Sequence, residues 1–195
     1  MRYGGRLNRL EFTALIDQQA NRIRANASTL PLWGPAGRTG PCRIGAWGWE
    51  DDRLVHAGLL FGDAVAGGAW IEVVTTAGPP MPLLIDVRMA AADEAPQDHR
   101  DVERRLRAAS TPAPQRVGIA VDGIPKRFDH WPAHGLGRDL GTGWLATLDE
   151  VPGLLLRVSG LTPAEVSLTR VGDIEPHLVG TRAHLLAGYD AYGTG

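Results

Sequence analysis

Cysteine is almost missing from this 195-residue chain, in which Cys42 stands alone. A lone thiol excludes a disulfide framework and a multi-thiolate metal cluster within one chain. A chain of this length also buries enough surface to fold without such staples. Cys42 lies between Pro41 and an apolar stretch and reads as a small packed residue, because no His with Asn or Asp stands nearby to activate it. Lysine is nearly as scarce: Lys126 is the only one, so Schiff-base chemistry would have to fall on a residue beside a turn. The net charge of −2 provides no basic excess of the kind that nucleic acid or an anionic membrane surface calls for. No apolar run reaches the length of a membrane span, and Met1 to Leu10 lack the apolar core of a signal peptide. These absences lead to the expectation of a soluble cytoplasmic protein with no membrane or nucleic-acid partner and no cofactor. Catalytic signatures are missing as well: there is no Gly-x-Ser-x-Gly elbow, no dinucleotide fingerprint between a strand and a helix, and no zinc-finger spacing. The glycine-rich stretch Gly62 to Gly68 has neither the lysine nor the following helix of a phosphate-binding loop.

What the chain does contain is strand and turn chemistry, densest from Arg116 to Leu148. Arg116 to Val121 is β-branched and apolar, Asp122-Gly123-Ile124-Pro125 is a turn, and Lys126 to Phe128 leads away as a second strand. A glycine-rich loop from Gly135 to Gly143 then hands over to Trp144 to Leu148. An earlier stretch, Arg43 to Val74, repeats this order of parts with nearly the same spacing from its first Arg to its Trp, at Trp70. The echo reads as a diverged internal duplication within one domain, with halves 1–110 and 115–195 joined by a Pro-containing linker at 111–114. Under that reading Trp70 and Trp144 occupy equivalent places. Leu154 to Val158 and Glu165 to Val171 are two further strands.

Helices are expected on either side of these strands. Asn8 and Glu11 form a capping pair before Phe12, Ile16, Ala20, Ile23 and Ala27, which recur at helical spacing. Leu83 to Ala92 and Asp98 to Ser110 supply central helices, the second with ion pairs from Asp101 to Arg105 and from Glu103 to Arg107. Asp173 caps a final helix through Ile174, Leu178, Thr181 and Leu185. The predicted class is α+β: a mostly antiparallel sheet flanked by N-terminal, central and C-terminal helices.

The most pointed site candidate is Asp129-His130-Trp131-Pro132-Ala133-His134, because imidazoles and carboxylates bind first-row metals and serve as general bases. Asp129, His130 and His134 are the metal candidates, and His130 and His134 the catalytic ones. Pro132 and Gly135 argue against a helix there, so the stretch reads as a loop in which Trp131, Arg138 and Asp139 could meet a partner. Arg100, Arg104 and Arg107 share one edge of the central helix and form a second binding candidate, for an anion, an acidic protein partner or RNA. The functional expectation is a non-enzymatic binding protein that recognises a protein partner or self-associates. The alternative is a small metal- or His-assisted hydrolase or lyase centred on His130 and His134.

Overall fold

The computed structural model describes residues 9–37, 42–50, 53–62, 68–78, 80, 113–135 and 142–175. In chain order these hold α1 (Arg9–Ala25), β1 (Trp33–Pro35), β2 (Cys42–Glu50), β3 (Arg53–Gly62), β4 (Trp70–Thr76), β5 (Gln115–Val121), β6 (Ile124–Gly135), β7 (Thr142–Leu148), β8 (Gly153–Ser159), a short 3-10 turn at Pro163–Glu165, and β9 (Ser167–Arg170). The nine strands form one sheet in the order β1-β9-β5-β6-β7-β8-β4-β3-β2. Only the β5–β9 pairing is parallel.

This corrects the α+β expectation. Among the described residues the protein is mostly β, with α1 as its one α-helix, and the sheet curls into a nearly closed barrel. Residues of β1, at one end of the strand order, lie against β3 and β4 near the other. At that seam a Cβ on Gly34 would sit 2.7 Å from the Phe61 ring, and Thr75 Oγ1 donates to the Pro31 carbonyl. Curling lets the inner face pack largely on itself, with α1 the one described helix that adds to the core. The predicted central helices and most of the C-terminal one lie outside the described residues.

Local chemistry explains the elements. Ala20 and Ile23, on the apolar side of α1, join the core together with Leu30 and Leu32 from the following turn. The β5–β6 hairpin turns on two residues, Asp122 at φ 49 and Gly123 at φ 76, the positive pair that a type I′ turn requires. Asp122 is then tied to β9: its Oδ1 accepts from the Arg170 amide at 3.1 Å, and its own amide donates to the Leu168 carbonyl at 2.9 Å. β1 escaped the sequence reading because Pro31 and Pro35 bracket it, and proline in a sheet is confined to positions such as edges and strand ends.

Strand alternation gives the sheet two buried faces. Ile71, Phe128, Trp144, Leu156 and Val158 belong to the inner core cluster, whereas Trp70, Val74, Leu145 and Leu155 are buried but outside it. Trp144 therefore faces the core and Trp70 faces away. Trp70 pairs with Ser159 and Trp144 with Val158, one position apart on β8, so the tryptophans expected to be equivalent lie on opposite faces of the sheet. The two halves also share that sheet, through β4–β8 and β1–β9 pairing.

Candidate functional site

The stretch read as an irregular loop after Phe128 is strand as far as Gly135. In a strand successive side chains point to opposite faces. Asp129 is paired with Arg116 across β5, and the guanidinium Nε lies 2.9 Å from its Oδ1, an electrostatic contact without hydrogen-bond alignment. His130 has the parity of Phe128 and turns into the barrel. The neighbouring carboxylate and imidazole therefore diverge rather than converge on one ion. Trp131 returns to the outer face, opposite Leu145, and is buried there.

The register between β6 and β7 shifts by one residue between Trp131 and His134. Pro132 supplies the reason, because it has no N–H to give the ladder and a bulge accommodates it. His134 resumes pairing, opposite Gly143, and is placed by its backbone alone. Arg138, Asp139, Arg100, Arg104 and Arg107 lie outside the described residues. Among the described residues no group of three or more His, Cys, Asp and Glu side chains could hold a metal ion.

His130 is 5% exposed, and neither of its ring nitrogens has a hydrogen-bond partner among the described residues. Its ring stands edge-on to Trp144, with centroids 5.3 Å apart and planes at 68°. Trp144 is fixed in turn, its Nε1 donating to the Leu161 carbonyl at 2.6 Å. Burial pushes the His130 pKa below its ordinary value, because the charged imidazolium loses hydration on desolvation. Burial thus favours the neutral imidazole, and among the described residues no carboxylate orients it as in a catalytic pair.

Two features escaped the sequence reading. Glu72 and Arg157 face each other across β4 and β8 and form an ion pair, with Glu72 only 1% exposed. The signal for it was a single charge inside each of two apolar runs, Trp70-Ile-Glu-Val-Val74 and Leu154-Leu-Leu-Arg-Val158. The second feature is a rim. Among the described residues the exposed large hydrophobics are Ile124, at 60%, and Val151, at 84%. They stand on adjacent hairpins joined by Lys126, whose Nζ lies 3.1 and 3.0 Å from the two carboxylate oxygens of Glu150.

Compared with known proteins, the chain matches no family model, no curated protein and no solved structure.

Proposed function

We propose that this protein is a non-enzymatic recognition module that binds a protein partner through the barrel rim carrying Ile124 and Val151. The observation that carries this reading is the exposure of those two aliphatic side chains on neighbouring turns bridged by Lys126 and Glu150. Apolar groups held rigidly in water lose little conformational freedom on association, so their burial is available to binding. The inner face supports the same reading, since it is filled by side chains such as Phe128, Trp144 and Leu156. A double variant, Ile124→Asp with Val151→Asp, tests it by quantitative affinity enrichment from the native host. Loss of specific partners with unchanged thermal unfolding supports the rim; the same partners at the same abundance would rule it out.

A second reading, a hydrolase or lyase using His130 and His134, draws on the buried imidazole of His130, whose two nitrogens have no hydrogen-bond partner among the described residues. Metal analysis of untagged protein separates it from the first. Stoichiometric zinc, manganese or iron that disappears in the His130→Ala, His134→Ala double variant would favour the enzyme.

A further inference from the structure

The β5–β6 turn sets the Asp122 carboxyl next to an unshielded amide. Gly123 has no side chain, a Cβ built on it would meet nothing within 4 Å, and its N–H donates to no carbonyl among the described residues. Asp122 and Gly123 are both exposed, so water has free access to the bond between them. What restrains the carboxyl group is β9. Asp122 Oδ1 accepts from the Arg170 amide at 3.1 Å and from the Thr169 hydroxyl at 3.3 Å, which draws the side chain across to the neighbouring strand instead of back onto the Gly123 nitrogen. β9 is lightly held: its four residues pair with β5 at two positions and with β1 at three.

We propose that Asp122 is a site of spontaneous isoaspartate formation, at a rate that β9 sets through Thr169 and Arg170. In the first step the Gly123 nitrogen bonds to the Asp122 Cγ and loses its proton, and a carboxyl oxygen leaves as water, so that a cyclic imide closes between the two residues. In the second step water adds to one of the two imide carbonyls. Breaking the bond from nitrogen to Cγ restores aspartate; breaking the bond to the main-chain carbonyl leaves the chain running through the side chain, with a free α-carboxylate. The water lost in the first step is regained in the second, and nothing is oxidised or reduced. Reaching the imide requires the carboxyl group to let go of both β9 donors, so each hydrogen bond slows the reaction. The product has one more carbon in the main chain of a two-residue turn whose geometry is tightly specified, and Ile124 is displaced with it. The site stands or falls independently of recognition at the rim.

The test ages the full chain in warm neutral buffer and follows conversion at Asp122 with time. Because the isomers have equal mass, the new α-carboxylate is read by enzymatic methylation of a proteolytic digest, and electron-transfer fragmentation places it in the sequence. Samples are the wild type, Thr169→Val, Thr169→Ser and the wild type held unfolded in urea. Conversion should be slowest in the folded wild type and fastest in the unfolded chain. Thr169→Val, which loses the hydroxyl donor, should convert faster than the folded wild type by about three- to tenfold. Thr169→Ser keeps the donor and should match the wild type. An unfolded chain that forms no isoaspartate at Asp122 overturns the site. A Thr169→Val chain that converts no faster than the wild type overturns the part given to β9, as does a Thr169→Ser chain that converts as fast as Thr169→Val, which would trace the change to lost strand packing rather than to the hydrogen bond.

Discussion

The His130 ring meets the Trp144 ring edge-on at 5.3 Å, inside a barrel that offers its two nitrogens no hydrogen-bond partner among the described residues. An unpaired buried polar group costs about 1–3 kcal/mol. The sequence singled out His130 for chemistry, and the structure makes it a place where stability depends on pH.

The direction follows from linkage. The folded-state pKa lies below that of the unfolded chain, so below about pH 6.5 the unfolded chain binds more protons. The contribution is fully present above that pH and is lost as pH falls toward the folded-state value. Urea denaturation between pH 7.5 and 5 should show falling stability in the wild type and a flatter profile in His130→Phe, which keeps an aromatic ring without titrating. At neutral pH the variant should be more stable by about 1 kcal/mol. Parallel profiles would mean that His130 does not titrate with unfolding.

Glu72 and Arg157 form a pair whose loss is asymmetric. Replacing Glu72 by Leu leaves the Arg157 guanidinium without the carboxylate it pairs with, and breaking a buried pair in this way costs about 3–5 kcal/mol. Replacing both, with Leu and Met, should recover most of that loss. Chemical denaturation of the single and double variants measures the coupling, and equal losses in both would show the pair to be unimportant.

The hairpin tip gives a smaller effect. Asp122→Ala removes the acceptor for the Arg170 amide and puts a residue without a local hydrogen bond at φ 49, so it should destabilise by about 1–2 kcal/mol. Asp122→Asn keeps both the acceptor and the tolerance for positive φ, and should cost much less. Thermal unfolding of the two variants checks the order.

What could be read locally was read correctly where local chemistry decides. The Asp122-Gly123 turn and the Ala20 and Ile23 face of α1 follow from turn and helix rules that need only a few neighbouring residues. The neighbours of β8 do not. Its pairing with both β7 and β4 joins segments far apart in the chain, and that placement puts Trp70 and Trp144 on opposite faces despite their similar settings in sequence. The same limit applied to the site. Pro132 and the glycines after it suggested a loop, whereas the strand continues past the proline through a bulge and turns His130 inward. The Lys126–Glu150 bridge, which sets Ile124 beside the turn of Val151, depends on β6–β7 register and left no mark in either segment alone.

Methyl-resolved NMR provides the most direct test of recognition at the rim, by titrating an enriched host partner into protein labelled at isoleucine and valine methyls. The account predicts that the Ile124 and Val151 methyls shift or broaden first, while core methyls such as Ile71 and Val158 stay in place. Perturbations that instead centre on residues around His130, with Ile124 and Val151 unmoved, would contradict it.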